Sequence, residues 1–233
     1  MTRQRSGALT AFHFVFLSAI ATIATADDNF QPLFDGKTLD GWTQHGGDAV
    51  YTVEDDTIVG SAVLNTGNSF LCTDEHYGDF VLELDFKVDP ALNSGIQIRS
   101  NVFDEPTEID LGDGTTKSIP ADRVHGYQVE IDPSPRAYSG GVYDEGRRGW
   151  LQDLSENEAA RKAFKPGEWN HYRIECRGDS IRTWLNGVPA ADLHDSLTPS
   201  GFIALQVHGV GDDKSKEGIQ VRWRDIKIDT LAP

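Results

Sequence analysis

The segment "VHGYQVEID", residues 124–132, carries Gln128, Glu130 and Asp132 at alternate positions. Side chains alternate along a strand, so these three share one face, while Tyr127, Val129 and Ile131 share the other. Two further segments repeat the arrangement. "SGIQIRS" sets Gln97 and Arg99 opposite Ile96 and Ile98, and "IALQVHG" sets Gln206 and His208 opposite Leu205 and Val207. Were these strands neighbours, one face would present amides, carboxylates, a guanidinium and an imidazole together. Such a face suits recognition of hydroxyl groups, with a carboxylate or imidazole available for proton transfer. A solvated outer face with ion pairs such as Arg99 with Glu130 is the alternative reading of the same pattern.

The stretch "YSGGVYDEGRRGWLQD", residues 138–153, adds Tyr143, Arg147 and Trp150 in a loop whose paired glycines let backbone approach a ligand. Trp42, Trp169 and Trp223 sit in regular patterns and read as core. Spacing signals no metal site, although His125, Glu130, Asp132 and His208 could converge on a divalent cation. P-loop, dinucleotide-binding, Gly-x-Ser-x-Gly and Cys-x-x-Cys patterns are absent from the sequence.

The elements that must position these groups are mostly short strands. "DFVLELDFKVD" alternates cleanly, with Phe80, Leu82, Leu84, Phe86 and Val88 on one face. "AVYTVEDDTIVGSA" reads as a hairpin turning at Asp55-Asp56, and further turns are expected at Gly178-Asp179 and Asn186-Gly187. One helix is signalled, in "SENEAARKAF", where Ser155 and Glu158 have capping-box spacing. Residues 101–125 and 209–218 read as long polar loops. Many short strands with one helix imply a sandwich of antiparallel sheets.

The first 26 residues have a basic start at Arg3 and Arg5, an apolar run, and small residues at Ala24 and Ala26. This is the pattern of a cleavable secretory signal peptide, implying a secreted or periplasmic protein. Residues 27–233 then form one domain with no second membrane span. The formal charge of −16 makes nucleic acid an improbable partner. Cys72 and Cys176 could pair in an oxidising compartment or be separate buried hydrophobes. Oligomeric state is left open.

Six segments resemble, in order, the 3-keto-disaccharide hydrolase family, also known as domain of unknown function 1080. They are "PLFDGKTLDGWTQHGG", "DFVLELDFKVDPALNSGIQIRS", "GYQVEIDP", "FKPGEWNHYRIECRGDSIRTWLNGVPAADL", "GFIALQVHG" and "VRWRDIKI". The resemblance spans about residues 30–229. It implies an all-β, concanavalin A-like jelly roll of two curved antiparallel sheets, with carbohydrate bound on the concave face. It also implies cleavage of glycosides oxidised to a ketone at C3. The related laminarinase-like jelly rolls carry a Glu-x-Asp-x-Glu strand. Here it reads Glu130-x-Asp132-x-Ser134, so the second glutamate of a double displacement is missing.

A 3-keto sugar allows another route: the ketone acidifies the C2 proton, and the C1 substituent leaves by β-elimination. The expected parts are Glu130 or His208 as base and Arg99 as enolate stabiliser. Gln97, Gln128, Asp132, Arg147, Trp150 and Gln206 would hold substrate, and Tyr143 would assist the leaving group. A non-catalytic glycan-binding module using the same face is the rival expectation, and an interaction domain with a merely solvated polar face is a third.

Overall fold

The computed structural model describes Met1 and residues 29–232. The signal peptide expected over residues 1–26 therefore lies outside the described residues. The strands in chain order are β1 (Gln31–Pro32), β2 (Trp42–Gly46), β3 (Val50–Glu54), β4 (Thr57–Ser61), β5 (Ser69–Thr73), β6 (Phe80–Val88), β7 (Ser94–Asn101), β8 (Thr107–Asp110) and β9 (Thr116–Ile119). They continue with β10 (His125–Ile131), β11 (Val142–Glu145), β12 (Gly149–Gln152), β13 (Asn170–Arg177), β14 (Ser180–Leu185), β15 (Val188–His194), β16 (Phe202–Val207) and β17 (Gln220–Thr230).

Two antiparallel sheets form a concanavalin A-like jelly roll. The front sheet runs β12-β11-β10-β7-β16-β5-β2, and the back sheet runs β15-β14-β13-β6-β17-β4-β3 with β1 beside β17. The alternation that built β6 buries Leu82, Leu84 and Phe86, which meet Ile96, Ile98, Val129 and Ile131 of the front sheet in one core. Burying a large apolar side chain contributes about 1.5–3 kcal/mol, so this layer dominates the stability of the sandwich. The β3–β4 hairpin turns at Asp55 and Asp56, both in the left-handed region at φ 46° and 57°, as a two-residue turn matched to strand twist requires.

Three local expectations are corrected, and the cysteine alternatives are resolved. The helix α1 is Glu158–Ala163, and its N-cap is Asn157, whose side chain accepts from the Ala160 N–H. Ser155 does not cap it, because its N–H and hydroxyl both turn back to Asp153 Oδ1. Residues 101–125 are not all loop, since β8 and β9 form a separate two-stranded ribbon. Trp42 and Trp223 lie in the core, but Trp169 is half-buried on the outside of the back sheet, where the Arg224 guanidinium sits 4.1 Å from its ring. Cys72 and Cys176 are free and buried on different sheets, so burial and not pairing explains them. Among the described residues no helix is long and apolar enough to cross a membrane.

Candidate functional site

The two faces of β10 separate as the alternation requires. Tyr127, Val129 and Ile131 enter the core. Gln128 and Glu130 point to the other side, yet they are 3 % and 5 % exposed, so that face is no solvated surface. Register explains the cover. Gln128 lies opposite Gln97 of β7 and Tyr143 of β11, while Glu130 lies opposite Gly95, which in turn faces Gln206 of β16. Trp150 of β12 follows beside Tyr143. The three polar-lined segments are therefore adjacent strands, and their outward groups form one floor.

A hydrogen-bond chain organises that floor. The Ser100 hydroxyl donates to Gln97 Oε1 at 2.7 Å, and Gln97 Nε2 donates to Gln128 Oε1 at 2.7 Å. Gln206 Nε2 donates to the same oxygen at 2.8 Å. Gln128 Nε2 then donates to Glu130 Oε2 at 2.8 Å, and Asn93 Nδ2 donates to Glu130 Oε1 at 2.5 Å. Gly95 makes this possible. A Cβ there would stand 2.5 Å from Gln128 Cδ, so the space that Gln128 fills exists because residue 95 has no side chain. From the back sheet, the Tyr172 hydroxyl crosses the core and donates to the Glu130 carbonyl at 2.5 Å, fixing the backbone that carries the carboxylate.

Burial pushes the Glu130 pKa above its ordinary value, against the donors Asn93 and Gln128, which favour the charged form. Glu145, two residues beyond Tyr143 and so on the same face of β11, is also buried with its pKa raised, Arg123 partly offsetting the cost. The cavity above the floor measures about 480 Å³, within the ~300–1,000 Å³ of small-molecule sites. Glu130, Gln128, Gln206 and His208 line it, with Tyr143 and Trp150 at one side. The two aromatic rings meet edge-on, 5.4 Å between centroids, and Tyr138 packs against Trp150 in the same manner.

Three sequence-predicted residues do not join this site. Arg99 is wholly buried and points away from it. Its guanidinium donates to the carbonyls of Gly78 and Gly178, each at 2.7 Å, and pairs with Asp79 at 2.9 Å. The cause is a bulge in β7: register against β10 slips between His125 and Tyr127, and Arg99 has φ 45°, which breaks the alternation. Arg147 follows the turn after β11 to the core side, where it bonds Asp144 and lies 5.1 Å over the Tyr127 ring. Asp132 ties its own loop, accepting from Ser134 N–H, Arg136 Nε and Tyr138 N–H. Burial alone would raise its pKa, but those hydrogen bonds win and hold it low.

The four groups that could have shared a cation do not converge. His125 is buried against Phe103, Asp132 is committed to its loop, and His208 is exposed with Nδ1 against the Gly209 carbonyl. Among the described residues no cluster of three or more His, Cys, Asp or Glu could hold a metal ion. The paired glycines of the 138–153 stretch serve protein packing, since a Cβ at Gly140 or Gly141 would meet Ala190 or the Gln152 carbonyl and Trp150.

Asn68, Asn93, Arg136 and Glu145 line the cavity without having been singled out from sequence. Arg136 supplies the cation that Arg99 does not. Held by Asp132 at 2.8 Å, it lies 5.6 Å from the Trp150 ring, and its charge is felt by Glu130. The first three come from loops, where no periodic signal exists. Glu145 lies in the stretch expected to be a loop, which instead forms β11 and β12, and the alternation of β11 sets Tyr143 and Glu145 outward together.

Residues 29–229 match the family described as the 3-keto-alpha-glucoside-1,2-lyase-like domain. The chain belongs to that family. No curated protein matches it. Among solved structures, a candidate glycosyl hydrolase from Parabacteroides distasonis shares 26% identity, with 87% of this chain and 99% of that chain covered at a TM-score of 0.52. A second candidate glycosyl hydrolase from the same organism shares 18% identity over 89% and 98% of the two chains, at 0.55. The carbohydrate-binding module CBM66 from Bacillus subtilis shares 17% identity over 82% and 96%, also at 0.55. The last two likenesses concern the fold.

Proposed function

We propose that this member of the 3-keto-α-glucoside-1,2-lyase-like family cleaves glycosides carrying a ketone at C3, with Glu130 as the base. The observation that carries the reading is Glu130 itself. It is a buried carboxylate on the floor of a sugar-sized cavity, aligned by amide donors and held by its backbone from across the core. Burial lifts its basicity while Asn93 and Gln128 keep the charged form accessible, the balance a general base requires.

In this reading the oxidised ring lies above the Gln128–Glu130 floor, with Tyr143 and Trp150 as its apolar wall. The Glu130 carboxylate takes the C2 proton, and the electron pair of the C2–H bond moves into an enolate whose charge collects on the C3 oxygen. Arg136, in place of the excluded Arg99, faces that oxyanion. Return of the electrons breaks the C1–O bond and expels the aglycone. Addition of water to the resulting enone would complete a net hydrolysis. Export through residues 1–26 is part of the same proposal, on the basic start, apolar run and small residues of that segment.

The test incubates the purified protein with a 3-keto-glucoside and follows released aglycone, then repeats it with Glu130→Gln. A positioned base is worth about 10²–10⁴ in rate, so turnover should fall at least a hundredfold with binding retained. Unchanged turnover would remove Glu130 from the mechanism. One observation favours a second reading, a glycan-binding module. Both Glu130 oxygens already hold a hydrogen bond, as in a site built to position hydroxyls. Binding by the wild type with no release would establish that reading instead.

A further inference from the structure

The central cavity does not end at its aromatic wall. A second cavity of about 590 Å³ lies beyond, between the β11–β12 turn and the chain leaving the β8–β9 ribbon. Lys117, Ser118 and Arg123 bound it on the ribbon side. Tyr143 and Glu145 line both cavities and form the wall they share, whereas Glu130 lines only the central one. A third space, about 270 Å³, opens on the opposite side past Asn93 and His208. It falls below the ~300 Å³ at which small-molecule pockets begin, so it is the poorer fit for a second sugar.

A glycoside occupying the two larger cavities must pass its glycosidic bond across the shared wall. We propose that the aglycone lies beneath the β8–β9 ribbon and that Glu145 is the catalytic acid that protonates its departing oxygen. This rests on the elimination reading above. Glu145 is one strand across and four residues along from Glu130, which sets their Cα atoms about 14 Å apart with both side chains on the floor. Tyr143 stands between them, and its phenol feels the charge of both carboxylates, Glu145 more strongly.

The step balances. Glu130 gains the C2 proton, the C1–O bond breaks with its electrons on oxygen, and that oxygen takes the proton of the Glu145 carboxyl. The enone and a neutral alcohol leave, with one carboxyl protonated and one ionised as before, their roles exchanged. Burial, by raising the Glu145 pKa, keeps a protonated fraction available, while Arg123 steadies the carboxylate formed.

The experiment compares two 3-keto-glucosides, one with a sugar aglycone and one with a nitrophenyl aglycone that leaves without help. Glu145→Gln should lose at least about a hundredfold in kcat/KM on the sugar aglycone and little on the nitrophenyl one. Because Glu145→Gln could disturb its partner Arg123, the wild type supplies a second readout. Its kcat/KM should fall at high pH for the sugar aglycone and not for the nitrophenyl one. Equal losses on both substrates, no loss on either, or the same alkaline fall on both would overturn the assignment. So would finding the split in His208→Gln instead, which would place the aglycone on the opposite side. If the wild type cleaves neither substrate, it is the underlying elimination reading that fails.

Discussion

Gly95→Ala tests the construction of the site from a position that does not itself line the cavity. The added Cβ would stand 2.5 Å from Gln128 Cδ, 2.6 Å from Cγ and 2.8 Å from Nε2. Backbone strain is not the issue, because Gly95 does not occupy the left-handed region. Gln128 has to leave its rotamer, and with it go the bonds from Gln97 and Gln206 and the bond to Glu130. A neutral hydrogen bond nets about 0.5–1.5 kcal/mol and one to a charged group about 1.5–3. Overpacking alone costs about 1–3 kcal/mol.

Partial rehydration of the freed amides offsets some of this, leaving a loss of roughly 3 kcal/mol. For a domain of this size that lowers Tm by roughly 6–12 °C, which calorimetry reads directly. The functional effect has a definite sign. Gln128 favours the charged form of Glu130, so its departure raises the Glu130 pKa further. A base works only when deprotonated, so the acid limb of kcat/KM should move to higher pH as that hydrogen bond to the charged form is lost. Gln128→Ala should suppress most of the added cost of Gly95→Ala, since the two act through one contact. A Gly95→Ala protein with unaltered Tm and an unmoved acid limb would refute the reasoning.

Two further outcomes follow. Arg99→Met should destabilise the fold by about 3–5 kcal/mol, because Asp79 and two carbonyls lose a buried partner, while kcat of the folded fraction stays at the wild-type value. A specific loss of kcat would return Arg99 to the chemistry. His125 is buried with neither ring nitrogen hydrogen-bonded, and its pKa is lowered from 6.5 to about 4 by burial first and the Arg147 charge second. The unfolded chain then binds a proton that the folded one refuses between those values. His125 therefore costs nothing above about pH 6.5 and roughly 3 kcal/mol by pH 4. His125→Phe should flatten that part of the urea-unfolding stability profile, and an unchanged acid slope would show that His125 is not its source.

Much of this was readable because strands expose two faces to a simple alternation. Gln97, Gln128, Glu130 and Gln206 were found that way, and the register places them side by side. Arg99 failed for a single cause: one bulge flips every later side chain, and nothing in "SGIQIRS" announces a residue at φ 45°. Asp132 lies just past the last residue of β10, where the backbone N–H groups of Ser134 and Tyr138 in its own loop capture its carboxylate and replace the strand rule. The β8–β9 ribbon went unread because its residues are nearly all polar. Only Ile119 is fully buried there, too little apolar contrast to mark a face.

The removal of Arg99 changes how the site must tune its base. A guanidinium beside Glu130 would have lowered the pKa strongly and left a weak base. The floor contains neutral amides instead, and the nearest cation, Arg136, spends its Nε on Asp132. The chain of amides is oriented from its acceptor-only end, the Glu130 carboxylate. Gln128 must turn its nitrogen toward that carboxylate and its oxygen toward Gln97, and Gln97, giving its nitrogen to Gln128, leaves its oxygen to accept from the Ser100 hydroxyl. The polarity set at Glu130 is completed at Ser100, in the same bulge that withdraws Arg99 from the floor. One local irregularity both excludes the cation and supplies the hydroxyl that pairs the last amide oxygen. Ser100→Ala, two amides away from Glu130, should leave Gln97 Oε1 unpaired, loosen the support of Gln128 and raise the acid limb of kcat/KM, whereas Ser100→Thr, which keeps a hydroxyl, should restore it. An identical pH profile for Ser100→Ala would show that burial alone sets the basicity of Glu130.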